Sequence, residues 1–190
     1  MRQDIILAGV GGQGILSIAF VIDNAALEEG LNFKQAEVHG MAQRGGAVQS
    51  HLRLSNEPIY SDLIPKGGAD MILSVEPLES LRYLDYLSPD GIVVTSRSPF
   101  VNIPDYPAIE DVLSEIEAVE NKLIVDSEKL AKDAGSPKAQ NMVMLGAASL
   151  HLILSEKSLK KFVRVLFETR GEKIVDMNLK AFDLGRSVSM

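Results

Sequence analysis

The 190-residue sequence contains no cysteine. Disulfides are therefore excluded, as are thiolate zinc sites and cysteine-ligated iron–sulfur clusters. Electron transfer through such clusters would require a second chain to hold them. The sequence has no basic run, and its formal charge is −7. That balance argues against a nucleic-acid binder, which must neutralise phosphates with clustered Lys and Arg. Long hydrophobic runs are missing too: the longest, 142–154, is interrupted by Ser149 and His151 and is too short to span a bilayer. Met1-Arg2-Gln3-Asp4 leads into an apolar segment without a basic n-region or a cleavable stretch, so a cytoplasmic protein is expected. No pair of His or acidic residues has metal-binding helical spacing. No Ser-His-Asp set can be argued from residue order, so no nucleophile or acid–base pair stands out.

What is present is a hydrophobic share of 46%, enough for one sizeable domain over 1–190. Residues 5–8 form a short apolar run without alternation, as in a strand covered on both faces. It stops at Gly9-Val10-Gly11-Gly12-Gln13-Gly14, and the apolar segment 15–27 follows at once as a helix that Gly30 can end. This is the strand–loop–helix order in which a G-x-G-x-x-G pattern carries meaning. Glycines allow a tight turn and bring N–H groups to a ligand at a helix N-terminus, where phosphate is favoured. The same glycines can also serve only to pack helix against strand.

A strand over 33–38 then completes a βαβ unit with a right-handed crossover. Residues 47–54 alternate and predict a strand with one wet face carrying His51 and Arg53. A short partner strand at 59–61, buried strands at 70–75 and 92–95, and a strand at 123–126 follow. Helices are expected from Pro77 through Leu87, over 109–119, over 127–133 with Ser127 as cap, over 136–154, around 159–167 and over 177–186. Ser88-Pro89-Asp90-Gly91 reads as a turn, and the proline-bearing 96–107 as irregular. The pattern predicts an α/β, Rossmann-like fold: a mostly parallel sheet with helices on both faces and extra C-terminal helices as an appendage.

Three constellations carry chemistry. The glycine turn could hold a dinucleotide, with Glu37 reaching the ribose hydroxyls. Next comes His39-Gly40-Met41-Ala42-Gln43-Arg44-Gly45-Gly46, where Arg44 between flexible residues can present a bidentate fork to a carboxylate or phosphate. Beside a helix N-terminus the two would form one anion site. The third, His51 with Arg53, reads more simply as an exposed or hydrogen-bonded pair, and His151 as a satisfied core histidine.

Taken together, the glycine turn and the phrase from Glu37 to Gly46 resemble the gamma-type domain of the 2-oxoacid:ferredoxin oxidoreductases, and most of all its indolepyruvate-oxidising branch. Asn141-Met142 through Leu145-Gly146-Ala147, and Asn178 through Gly185, extend the resemblance over nearly the whole chain. It implies a small subunit of an enzyme that oxidatively decarboxylates arylpyruvates to acyl-CoA and passes electrons to ferredoxin. In such enzymes thiamine diphosphate and the iron–sulfur clusters belong to a large partner subunit, and this chain would be inactive alone. By the same resemblance Gly11, Gly12, Gln13, Gly14, Glu37, His39, Gly40, Arg44, Gly45 and Gly46 would face substrate or coenzyme A. Alternatives are the same chemistry on pyruvate, branched-chain oxoacids or 2-oxoglutarate, a free-standing dinucleotide-binding protein, or a pure assembly module.

Overall fold

The computed structural model describes residues 1–37 and 45–188. Its centre is a six-stranded sheet in the order β2-β3-β1-β4-β5-β6. The strands are β1 (Arg2–Val10), β2 (Asn32–Glu37), β3 (Ala47–Ser55), β4 (Ala69–Ser74), β5 (Leu87–Ser96) and β6 (Lys122–Val125). β1, β4, β5 and β6 pair in parallel, while β3 runs antiparallel to both β1 and β2. The first crossover therefore does not deliver β2 beside β1, because β3 lies between them.

Around the sheet run α1 (Ile15–Glu28), α2 (Pro77–Leu81), α3 (Ile109–Glu117), α4 (Ser127–Ala134), α5 (Gln140–Ala148), α6 (Glu156–Phe167) and α7 (Glu172–Ser187). Successive strand residues point to opposite faces, and the core divides accordingly. Ile5 and Leu7 of β1 join Met71, Leu73 and Val94 in a large cluster with α1, α5, α6 and α7. Ile6, Ile72 and Val93 point the other way into a smaller cluster with Tyr83, Tyr86 and Val119, on the segments that follow α2 and α3. The C-terminal helices are thus part of the main core rather than an appendage. α5 and α7 cross at glycines: a Cβ on Gly146 would lie 2.0 Å from the Phe182 carbonyl oxygen, and one on Gly185 1.9 Å from that of Val143. Only glycine permits so close a backbone approach.

Several local expectations change under tertiary packing. β3 has no wet face over its second half: His51 and Arg53 are buried. The Arg53 guanidinium grips Asp4 with two hydrogen bonds of 2.8 and 3.1 Å and donates to the Ser61 and Leu63 carbonyls at 3.0 Å. His51 Nδ1 accepts the Ile64 N–H at 3.1 Å. Burial first, then the Arg53 charge, lowers its pKa and keeps that nitrogen free to accept. Residues 59–61 carry no strand. α2 stops at Leu81, and Leu87 already belongs to β5. The Ser88–Gly91 turn lies inside β5 as an irregularity, since Ala69 pairs with Leu87 but Met71 with Ile92.

Asp126, not Ser127, caps α4 by accepting the Lys129 N–H at 3.1 Å. Ser127 instead shares a 2.7 Å hydroxyl hydrogen bond with Ser96. α5 ends at Ala148, short of Leu154. His151 is exposed beyond it, and its carbonyl accepts from Gln3 Nε2 at 2.6 Å.

Candidate active-site edge

The glycine turn sits at the C-terminal end of β1, where chain direction makes a crevice. β1 feeds α1, packed in the large cluster, whereas β4 feeds α2 on the opposite side of the sheet. Ligands of open α/β sheets bind outside the carboxyl ends of strands at such a divergence. The turn is locked by its own residues. Gln13 Oε1 accepts the Val10 N–H at 2.7 Å, and the Gln13 N–H bonds the Val10 carbonyl at 3.0 Å.

Gly12 and Gly14 have φ of 104° and 82°, in the left-handed region that favours glycine. A Cβ on Gly14 would meet Asn141 Nδ2 at 2.4 Å, whereas one on Gly12 would meet nothing within 4 Å. Gly14 is therefore needed for packing and Gly12 faces open space. Asn141, at the start of α5, donates to the Gly14 carbonyl at 3.4 Å, which anchors the late helices to this turn.

The two glycine motifs meet. Gly11 N–H donates to the Gly46 carbonyl at 2.8 Å, and Gly45 N–H to the Gly11 carbonyl at 3.1 Å. The segment bearing Gly45 and Gly46 is thus stitched to the turn, as one anion site requires. His39, Gly40 and Arg44 lie outside the described residues. Glu37 does not join the edge. Its register partner is Ser50, whose own partner on β1 is Leu7, so it sits two strands from β1, about 10 Å away laterally. It accepts a hydrogen bond from Gln35. That position lies two strands from the β1 turn, unlike the adjacent-strand acid of a dinucleotide site. On α1, buried Asp23 faces the same strands, and burial, followed by the Glu37 charge, raises its pKa to about 7.

Two clefts flank the Gly12–Gln13 ridge. One, of about 310 Å³, is lined by Gly14, Ser17, Lys138, Asn141, Phe167, Arg170 and Asn178 among others. The second, of about 410 Å³, is the sheet crevice itself, lined by Val75, Phe100, Pro137, Lys138 and Gln140. α1 has no side-chain cap at Gly14 and no acidic residue in its first turn, so its N-terminal partial positive charge is left for a ligand. Among the described residues, neither Lys138 nor Arg170 has an acidic partner; Arg170 lies 5.6 Å over the Phe167 ring. The edge offers N–H groups, cations and amides, which together suit an anionic ligand with a partly apolar arm. Lys138, Arg170 and Asn141 carried no local signal as site residues, because distant segments bring them together.

Comparison with known proteins agrees with the fold. The pyruvate ferredoxin/flavodoxin oxidoreductase family matches residues 4–188. The indolepyruvate oxidoreductase subunit IorB of Pyrococcus horikoshii is 39% identical over 97% of this chain and 94% of its own length. The subunit of the same name from Archaeoglobus fulgidus is 36% identical over 97% of this chain and 94% of its own length. In structure, the chain superposes on a 2-oxoglutarate:ferredoxin oxidoreductase from Magnetococcus marinus, solved with 2-oxoglutarate, coenzyme A and succinyl-CoA bound, with a TM-score of 0.78 and 26% identity. That match covers 99% of this chain and 31% of the other, so this chain spans about a third of that longer protein. An oxidoreductase subunit, this chain belongs to the pyruvate ferredoxin/flavodoxin oxidoreductase family.

Proposed function

We propose that this chain, a single gamma-type unit over 1–190, is the small subunit of a cytoplasmic hetero-oligomer that oxidatively decarboxylates indolepyruvate and other arylpyruvates. The acyl group passes to coenzyme A, carbon dioxide leaves, and the electrons pass to ferredoxin. The observation that carries this reading is near-full-length similarity to indolepyruvate oxidoreductase subunits named IorB, joined to a glycine turn that is stitched to Gly45 and Gly46. Thiamine diphosphate and the iron–sulfur clusters belong to the large partner subunit, a division supported by the absence of cysteine here. When bound there, they supply the carbanion chemistry and the electron path.

The part played by this chain is positioning. The N-terminus of α1, with Gly12 and Gly14 around it, faces the coenzyme A phosphates, and Lys138 and Arg170 neutralise them. Gln13, whose Oε1 is held by the Val10 N–H, offers its amide N–H groups to the crevice. Gly45 and Gly46, bonded to Gly11, extend the wall towards substrate and partner. The edge thus positions a ligand at a shared site without itself moving electrons.

Co-expression with the thiamine-binding subunit tests this. The pair is expected to reduce ferredoxin in the presence of indolepyruvate and coenzyme A, with higher kcat/KM for aromatic than for small oxoacids. Full activity of the partner without this chain would contradict the proposal. A preference for pyruvate, branched-chain oxoacids or 2-oxoglutarate would move it to another branch of the family.

A further inference from the structure

Glu76 is a fully buried carboxylate at the junction of β4 and α2. Such a group needs several donors to offset its lost hydration. One is local: Oε2 accepts the Glu79 N–H at 2.8 Å and caps α2. The other two come from a distant segment, where Oε1 accepts the Phe100 N–H at 3.2 Å and the Tyr106 hydroxyl. Residues 98–106 contain Pro99 and Pro104 and no helix or strand, so little regular backbone bonding holds them. They hang on Glu76, with a second tether where Asn102 Nδ2 donates to the Gly45 carbonyl at 2.9 Å. Burial, reinforced by the Glu76 carboxylate, raises the Tyr106 pKa and keeps its hydroxyl protonated as a donor.

The result is a defined position for Phe100, which is 45% exposed and lines the crevice beside Gly12, Gln13 and Val75. Gln140 and Lys138 line the same crevice. An apolar wall, amides and one cation match a chain of methylenes and amides that ends in phosphate. We propose that Glu76 is a positioning residue: through the Phe100 N–H and the Tyr106 hydroxyl it fixes Phe100 as the wall against which the pantetheine arm of coenzyme A packs. This rests on the coenzyme A reading above and names the residues that act within it.

The test uses the reconstituted two-subunit enzyme, with KM measured separately for coenzyme A and for indolepyruvate. Phe100→Ala is expected to raise KM for coenzyme A about ten-fold, with KM for indolepyruvate and the urea midpoint unchanged. Phe100→Leu should recover most of the loss. Tyr106→Phe, which leaves the α2 cap intact, should raise KM for coenzyme A about three-fold. A soluble Glu76→Ala complex should lose at least as much as Phe100→Ala. An unchanged KM for coenzyme A in Phe100→Ala, or a rise confined to indolepyruvate, overturns the inference. So does an equal fall in kcat with every substrate, which would mark mere structural support. A wild-type pair without coenzyme A-dependent turnover overturns the functional proposal and this inference together. Normal wild-type turnover with an unaffected Phe100→Ala overturns this inference alone.

Discussion

The two ends of β1 both gather charge, and they treat it in opposite ways. At the N-terminal end, Arg53 and Arg2 both bond Asp4, and the Asp70 carboxylate accepts the Asp4 N–H at 2.8 Å. Lys66 nearby is paired with Asp85 at 2.7 Å. A hollow of about 590 Å³ opens there, larger than either cleft at the glycine turn, yet the cations lining it are already paired, Arg2 and Arg53 with Asp4 and Lys66 with Asp85. At the C-terminal end, Lys138 and Arg170 face smaller clefts with no acidic partner among the described residues. The size of a hollow is thus a poor guide to a binding site, and unspent charge beside free helix N–H groups is a better one. The first end is scaffold; the second is where we place the ligand.

The largest expected effect lies at the scaffold end. Arg53→Met should cost about 3 kcal/mol in urea unfolding, because buried Asp4 would keep only the largely exposed Arg2 as its cation. The double variant Asp4→Asn with Arg53→Met should regain much of that loss. A single-variant loss below about 1 kcal/mol would class the pair with weak, solvated ion pairs and erase the contrast.

Asp23 sharpens the comparison as a buried carboxylate with neither fate. Its Oδ1 has no partner among the described residues, and its pKa is raised to about 7. The folded state holds this proton more tightly than the unfolded chain does, so the stabilising contribution is complete below about pH 4. It is lost as pH rises towards about 7. Asp23→Asn should therefore be more stable than wild type by up to about 2 kcal/mol at pH 8, with the gap closing towards pH 4. Urea midpoints across that range measure it, and a pH-independent gap would contradict the assignment.

What the sequence revealed and what it hid follow from the range of the interactions. The glycine turn and α1 are local: an apolar run, a left-handed φ at Gly12 and Gly14, and an apolar segment suffice to place them. The meeting of that turn with Gly45 and Gly46 was legible as a motif pair. The burial of β3 was not, because alternation in 47–54 signals a wet face unless distant carbonyls at Ser61 and Leu63 satisfy Arg53. The separation of β1 from β2 was equally hidden, since inserting β3 depends on pairing, not on local pattern. Glu76 gave no sign, because its donors Phe100 and Tyr106 lie far along the chain. Lys138 and Arg170 look like ordinary surface cations until α5, α6 and α7 pack.

The smallest expected change in stability, and the most direct test, falls at the ligand-ready end. In the reconstituted enzyme, Lys138→Ala combined with Arg170→Ala should shift the urea midpoint little, as surface changes do. The same pair should raise KM for coenzyme A about ten-fold through lost charge-assisted contacts and weaken its salt dependence. An unchanged KM for coenzyme A with intact folding would contradict the claim that this edge is where the subunit meets its anionic ligand.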